Sequence, residues 1–359
     1  MKPLPDPFQP REARSDAAGV WAPALVLVAL GLVSLYSVGP RHVPRQAAWA
    51  LLGILACVAA SRLPAQAIRR AAGPFLAFTG ILLLAALLFA PKIAETRRWL
   101  PIPLFGVFQP SELAKLAAVV FLADRLARRS REGAPLWRAV WPIAPICLLI
   151  MLAPDFGTTI FVATIAAVML LVAGVKLGRL LFGGLLALPV LLLVAMRFPY
   201  VADRLRFFRG ERSYQLEQAE IALASGGFLG KGWGAGRQKF GYLPAGHNDF
   251  ILPNVGEELG FLGVGLVAFL FAMILVHGLR VGLAAAKRGD CFGFHVAFGA
   301  TFLVVFQAAL NIAVSTGAAP TKGISLPFLS QGGSNLLVSL TAVGLVLGVA
   351  RAPALQEES

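Results

Sequence analysis

The strongest constraint on this chain is a series of ten apolar runs separated by polar segments. They span residues 20–39, 47–61, 72–90, 111–127, 139–153, 158–174, 180–196, 256–277, 291–314 and 335–350. A helix needs about 20 apolar residues to cross a bilayer, so the shorter runs must extend into their flanks. Because 58% of the 359 residues are hydrophobic, a water-soluble fold could not bury this surface. The sequence predicts an all-α polytopic membrane protein with about ten transmembrane helices.

The distribution of positive charge predicts how these helices are oriented. If the N-terminus is cytoplasmic, more than half of the 32 Lys and Arg residues lie in cytoplasmic loops and tails, as the positive-inside rule requires. An even number of spans returns the C-terminus to the same side. We therefore expect cytoplasmic tails at 1–19 and 351–359 and a transmembrane domain at 20–350. A large extracytoplasmic loop is expected at 197–255, between helices seven and eight.

The net charge of +14 does not indicate a nucleic-acid partner. Basic residues of a membrane protein gather at its cytoplasmic face, where they meet anionic lipid of the bilayer. Cys57, Cys147 and Cys291 lie far apart in the sequence, so neither a metal pattern nor a disulfide framework is expected. The polar N-terminal stretch lacks the apolar core of a signal peptide, so the first spanning helix is expected to direct insertion.

Carboxylates at the entrance of the eighth apolar run are the most informative polar residues. The stretch "GHNDFILPNVGEELGF" places His247, Asp249, Glu257 and Glu258 beside hydrocarbon, where charged groups persist only if they are paired or face water. Glu257 and Glu258 fit the first turn of a helix, whose N-terminal dipole favours acids. Asp249 lies further upstream, and a carboxylate at such a border can be tuned as a general base.

Three further sets of polar residues admit both a structural and a functional interpretation. In "QPSELAK", Glu112 and Lys115 lie three residues apart on one helix face, where they can form an ion pair. Arg98 in "RRWLPIPLF" can belong to an interfacial anchor beside a tryptophan or can contact a lipid diphosphate or sugar. Asp155 in "APDFGTT" can cap a turn or line the floor of a cavity.

The predicted outer loop holds a short helix followed by a basic, glycine-rich segment. "YQLEQAEIALASG" predicts an amphipathic helix that ends at Gly226. The following "GFLGKGWGAGRQKFG" carries Lys231, Arg237 and Lys239, and its spacing does not match the phosphate-binding P-loop. Flexible backbone with three cations suits an anionic head group; the alternative is a mobile surface loop.

Taken in order, these segments resemble the SEDS family (shape, elongation, division and sporulation). The resemblance covers residues 97–351 and rests on "RRW…QPSELAK", "PDFGTT", "YQ…QAEIALASGGFLGKGWG", "YLPAGHNDFI…GEELGF" and "NIAVSTGAAPTKGISLPFLSQGGSNLL". It implies a peptidoglycan glycosyltransferase that polymerises lipid II on the outer face of the bacterial cytoplasmic membrane. The form "PTKGISLPF" looks closer to the division-type members of the family than to the elongation-type members.

The resemblance also implies residue roles, a cofactor and partners. The family's key aspartate falls at Asp249, and its Glu-x-x-Lys pair falls at Glu112 and Lys115. His247 and Lys322 lie in matching motifs and join the expected substrate-binding residues. A divalent cation (Mg or Mn), a class B penicillin-binding protein and other division proteins are implied. Three departures leave the charged residues in place and leave the local geometry open: Asn248, the "LPN" at 252–254, and Gln331.

The implied reaction gives a mechanistic hypothesis with two rivals. Asp249 would take a proton from an acceptor sugar hydroxyl, while cations or a metal stabilise the departing diphosphate. The cations expected near the diphosphate are Arg98, Lys115, Lys231 and Arg237. One rival is a lipid II flippase, which would use the charged residues as a polar path through the membrane. The other rival is a non-catalytic scaffold for division proteins.

Overall fold

The computed structural model describes residues 10–92, 96–103, 105–133, 135–195, 214–240, 248–320 and 323–352. The helices are α1 Pro10–Val38, α2 Val43–Arg62, α3 Ala65–Phe89, α4 Pro110–Glu132, α5 Trp137–Val140, α6 Ile143–Leu152, α7 Phe156–Val172, α8 Leu177–Ala195, α9 Tyr214–Gly226, α10 Ile251–Lys287, α11 Cys291–Ser315 and α12 Gly333–Arg351. Two strands, β1 Leu100–Ile102 and β2 Gly106–Phe108, and two short 3-10 helices complete the described elements.

Long apolar helices dominate the fold, as the sequence predicts. Within the described ranges, six helices are long and apolar enough to cross a membrane: α1, α2, α3, α10, α11 and α12. Shorter apolar helices lie at Trp137–Leu152, Phe156–Val172 and Leu177–Leu186. The chain is therefore a helical, multi-pass membrane protein. The count of ten spans and the cytoplasmic placement of the termini stay predictions.

Several helix boundaries differ from the apolar runs because polar flanks join the helices. Helices α2 and α3 begin before the predicted runs, at Val43 and Ala65, and the run at 139–153 divides into α5 and α6 near Pro142. Helix α10 begins at Ile251, five residues before the predicted run at 256–277, while the bounds of the expected outer loop at 197–255 stay a prediction. Pro253 is compatible with this start, because the first N–H groups of a helix have no partner within it.

A short β-hairpin is an element that the all-α prediction misses. Strands β1 and β2 pair antiparallel, with Leu100 opposite Phe108 and Ile102 opposite Gly106. Three-residue strands are too short for a period-two pattern to be recognised in the sequence. The hairpin follows Arg98 and leads directly into α4.

Helix α4 lies at the centre of the bundle and contacts α3, α7, α11 and α12. Small residues on this helix, among them Ala114, Ala117 and Ala118, are fully buried, which permits the close approach of neighbouring helices that membrane bundles favour. Around it, α12 packs on α2, and α10 packs on both α1 and α11. The predicted helix α9 is confirmed, ends at Gly226 as expected, and packs on α10.

A kink at Gly260 divides α10 and joins it to the glycine-rich loop. Gly260 has φ 67° and ψ −163°, a conformation that residues with a Cβ avoid. The glycine-rich loop supplies hydrogen-bond partners to the helix backbone on both sides of the kink. The N–H of Lys231 donates to the Glu257 carbonyl at 3.0 Å, and the N–H of Phe261 donates to the Gly227 carbonyl at 2.9 Å. An added Cβ at Gly260 would collide with the backbone of Gly230.

We expect Gly260→Ala to destabilise the protein. The substitution combines a positive φ with a backbone collision, and strained backbone conformations cost about 1–3 kcal/mol each. The measurement is the midpoint of thermal unfolding in detergent. Gly265→Ala is the matched control, because a Cβ there meets nothing within 4 Å and alanine favours the helix. Equal unfolding midpoints for the two variants would contradict the assigned role of the kink.

Candidate active site

A polar cavity of about 460 Å³ lies where the starting ends of five helices converge. It is bordered by the first residues of α2, α4 and α12, by the residue that caps α7, and by the turn before α10. The positive ends of helix dipoles therefore point toward one space, which favours an anionic ligand. The charged residues that line it are Arg45, Arg98, Glu112, Asp155 and Asp249.

Asp249 is a partly buried carboxylate in the turn that precedes α10. Burial, and then the negative charge of Glu112, raise the pKa of Asp249 to about 6. A Cβ added at Gly323 would lie 3.3 Å from its Oδ2 atom, so the loop before α12 approaches it closely. A carboxylate with this pKa is ionised near neutral pH and remains basic enough to accept a proton.

Asp155 has both of the roles that the sequence leaves open. Its Oδ1 atom accepts a hydrogen bond from the N–H of Thr158 at 3.2 Å and so caps α7. Its Oδ2 atom accepts hydrogen bonds from Ser111 and Gln109, both at 3.1 Å. The same carboxylate lines the cavity, so it joins the starts of α4 and α7 at the cavity wall.

Arg98 supplies a cation with spare hydrogen-bonding capacity. Its nearest carboxylate contact in the described chain joins Nη1 to Oδ1 of Asp155 at 4.0 Å, which is longer than a hydrogen bond. Its Nε atom is buried and has no hydrogen-bond partner among the described residues. A buried, unpaired donor is unfavourable unless a ligand meets it. Arg98 is therefore suited to bind an anion in the cavity.

The predicted pair of Glu112 and Lys115 forms, at 2.7 Å between Oε2 and Nζ. Lys115 does not line the cavity. Its Nζ also donates to Oε1 of Gln307 at 2.6 Å and lies 5.0 Å from the Phe161 ring centroid. Glu112 does face the cavity. Lys115 thus holds Glu112 in place and balances its charge.

Two amides on α11 are positioning residues that the sequence interpretation misses. Asn311 donates from Nδ2 to the carbonyl of Asp249 at 2.8 Å and to that of Ile324 at 2.7 Å. One turn earlier, Gln307 donates to the carbonyl of Ser325 at 2.9 Å. These bonds fix the turn that carries Asp249 against the loop before α12. The sequence does contain a signal for both amides, because polar side chains within an apolar span are unusual.

The basic loop has carboxylate partners of its own. Lys231 pairs with Glu257 at 2.7 Å, and Lys239 pairs with Glu258 at 2.9 Å. Lys231 and Lys239 do not line the described cavity, and the side chain of Arg237 is exposed outside it. The expectation that both glutamates belong to the first turn of a helix is wrong, because α10 begins at Ile251. They instead hold the loop against α10.

Two of the predicted site residues cannot be placed. His247 and Lys322 lie outside the described residues. Among the residues that are described, no group of three His, Cys, Asp or Glu side chains has the arrangement of a metal site. Glu112 and Asp249 nevertheless face one cavity, and Mg²⁺ is often held by one or two carboxylates together with substrate phosphates. Their carboxylate oxygens are ligands of the kind that such an ion prefers.

The fold and the cavity define a multi-pass helical membrane protein with a charged site at one end of its bundle. The model of the cell cycle protein family of FtsW, RodA and SpoVE matches residues 20–354. The chain belongs to this family, which confirms the SEDS resemblance.

Relatives of similar length carry one name. The chain is 36% identical to a probable peptidoglycan glycosyltransferase FtsW of Geobacter sp. strain M18, over 91% of this chain and 94% of that protein. It is 35% identical to a protein of the same name from Thioalkalivibrio sulfidiphilus, over 96% of this chain and 92% of that one. The similarity to the division-type members agrees with the interpretation of "PTKGISLPF".

Solved structures share the fold. One is a chain from a study of how a peptidoglycan synthase complex coordinates polymerization and crosslinking, with a TM-score of 0.75 and 29% identity, covering 93% of this chain and 97% of that chain. Another is the rod shape determining protein RodA of Thermus thermophilus, with a TM-score of 0.70 and 27% identity, covering 93% and 96%.

Asn311→Ala tests the positioning role of this amide. Two carbonyl groups lose their donor, and each unsatisfied buried group costs about 1–3 kcal/mol. We expect a lower unfolding midpoint in detergent and faster proteolysis near residue 249. Thr316→Val, at the residue that follows α11, is the control, because its hydroxyl donates only to carbonyls of α11. If Asn311→Ala and Thr316→Val behave alike, Asn311 does not hold the turn.

Proposed function

We propose that the chain is a peptidoglycan glycosyltransferase that polymerises lipid II on the outer face of the bacterial cytoplasmic membrane during cell division. The observation that carries the proposal is the convergence of Asp249, Arg98 and five helix starts on one cavity. This arrangement combines a proton acceptor with sites for negative charge, which glycosyl transfer from a diphosphate requires. The names of the relatives support the same activity and the role in division.

The residues support a direct displacement at the anomeric carbon. Asp249 takes the proton of an acceptor sugar hydroxyl, and the oxygen forms a bond to the anomeric carbon of the donor sugar. The bond from that carbon to the diphosphate oxygen breaks, and the electron pair leaves with the diphosphate. Arg98 and the helix starts stabilise the charge that develops on the leaving group. Asp249 then carries the proton.

The contacts of the predicted cationic residues indicate which of them is free to bind the diphosphate. Lys115 is engaged by Glu112 and Gln307, and Lys231 is engaged by Glu257. Arg98 retains a buried Nε donor that is unpaired within the described part of the chain. We therefore assign the diphosphate to Arg98 in preference to the basic loop, whose lysines hold the loop on α10 and whose Arg237 is exposed outside the cavity.

A divalent cation is part of the proposal. Glu112 and Asp249 would hold it, and a bound Mg²⁺ or Mn²⁺ would supply positive charge to the diphosphate. The effect of Glu112 on the pKa of Asp249 supports this placement, because two carboxylates facing one cavity repel each other and favour a shared cation.

A crosslinking partner also belongs to the proposal. A chain with this fold occurs in a solved peptidoglycan synthase complex in which polymerization and crosslinking are coordinated. A class B penicillin-binding protein would supply the crosslinking reaction, and other division proteins would recruit both. Co-purification of this chain with its candidate partners, one at a time, identifies the partner.

Asp249→Asn should abolish polymerisation. The amide keeps the size of the side chain and loses the ability to accept a proton, and general-base catalysis contributes about 10²–10⁴-fold in rate. The measurement is glycan chain formation from lipid II by purified protein, with a divalent ion and a partner penicillin-binding protein present. Asp290→Asn is the matched control, since it removes a carboxylate that only caps α11.

The outcome of this experiment separates the rival functions. Near-normal glycan formation by Asp249→Asn would overturn the assignment of the base. Head-group translocation across vesicles by the wild-type chain, without glycan chains, would identify a flippase. If the wild-type chain shows neither activity under these conditions, a division scaffold replaces the polymerase.

The activity should fall as the pH is lowered through about 6. The pKa of Asp249 is raised to about 6, so the carboxylate is ionised above this pH and is lost as a base below it. In rates normalised to the plateau of each variant at high pH, Glu112→Gln should move this acid limb to lower pH, because the charge of Glu112 contributes to the raised pKa of Asp249. Normalisation separates this effect from a loss of activity at the proposed cation site. The measurement is the initial polymerisation rate of both proteins at pH values from about 5 to 8. An identical limb in wild type and Glu112→Gln would contradict the account.

A further inference from the structure

A second cavity, of about 620 Å³, lies between α3, α4, α5 and α6. It is located toward the other end of α4 from the first cavity. Arg125 lines it, whereas Glu112 lines the cavity of Asp249. The rise along α4 between these two residues is roughly 20 Å. The second cavity is therefore separate from the candidate active site.

Two arginines give this cavity its positive charge. The Nε atom of Arg125 is buried and lacks a hydrogen-bond partner in the described part of the chain, and its guanidinium carbon lies 5.0 Å from the Phe121 ring centroid. Arg138 lies 5.7 Å from the centroid of Trp137 and is exposed. No described carboxylate is within ion-pair distance of Arg125 or Arg138.

The buried carboxylate nearest in sequence does not neutralise Arg125 or Arg138. Asp124 is adjacent to Arg125 in the sequence and is buried. It pairs with Arg128 at 2.9 Å and with Arg69 at 3.3 Å. Asp124 is thus committed to other cations, and Arg125 and Arg138 remain available to an external anion.

The rest of the cavity is apolar and lies along α3. Gly73, Leu76 and Gly80 form one wall, and a Cβ at Gly73 would meet nothing within 4 Å. Trp137 and Trp141 border the cavity and are 60% and 58% exposed. Exposed tryptophans beside arginines are typical of the level of the lipid head groups.

We propose that this cavity binds an anionic phospholipid. The phosphate contacts Arg125 and Arg138, the tryptophans flank the head group, and an acyl chain lies in the space beside Gly73. A free phosphate would leave the apolar wall uncovered, and a zwitterionic lipid would place a cationic head group beside the two guanidinium groups. The expected orientation of the chain places this lipid in the cytoplasmic leaflet.

Native mass spectrometry of the full chain in detergent tests the proposal. The protein is titrated with phosphatidylglycerol and, separately, with phosphatidylcholine of the same acyl chains. We expect tighter retention of phosphatidylglycerol. The double variant Arg125→Gln/Arg138→Gln should bind it about tenfold more weakly or worse, since each cation near an anionic lipid contributes measurably. Polymerisation of lipid II is not involved, so the result is independent of the proposed function.

Two further variants control for charge and for folding. Lys176→Gln/Arg179→Gln removes the same charge at residues that line neither described cavity, and should bind like wild type. Gly73→Leu keeps both arginines and fills the open space, so it should weaken retention without unfolding the helix. The proposal is overturned if the two lipids bind alike, if the charge control loses as much affinity as the double arginine variant, or if Gly73→Leu binds like wild type.

Discussion

Lys115 is buried in α4 with 3% of its surface exposed. The geometry of the candidate active site depends on the residues that pair with this ammonium group. A buried ammonium group needs both an opposite charge and hydrogen-bond acceptors. Glu112 and Gln307 supply them, which ties α4 to α11. Gln307 and Asn311 then bind the carbonyls of the loop before α12, and Asn311 also binds the carbonyl of Asp249. The side chains of Lys115, Gln307 and Asn311 therefore set the positions of α4, of the turn that carries Asp249 and of the loop before α12.

Asp249 and Arg98 take no part in these pairs, and they are the groups suited to proton transfer and anion binding. Asp249 receives no cation among its described neighbours, and burial raises its pKa to about 6. Arg98 keeps a buried donor that has no partner among the residues the structure describes. Burial makes these groups unfavourable when they lack a partner, and the same burial strengthens their interaction with a charged substrate. The lysines of the basic loop differ, because Glu257 and Glu258 already neutralise them.

Local patterns predicted the helices, the Glu112 pair and helix α9, since each depends on residues close in sequence. They also indicated Asp249 and Asp155 as residues of interest, without showing that both face one cavity. The pairing of Lys231 with Glu257 was not predictable, because it depends on the kink at Gly260 that brings the loop back onto α10. Asn311 could have been found, since the rule that selected the carboxylates applies equally to amides within an apolar span.

The central claim is that the charged end of the substrate binds in the cavity and not on the glycine-rich loop. Site-specific photocrosslinking to lipid II tests it most directly. A photoreactive residue replacing Val107, which lines the cavity, is compared with one replacing Trp233, which is exposed on the loop. The account predicts a lipid II adduct at position 107 and little or none at position 233. An adduct at position 233 with none at position 107 would contradict it.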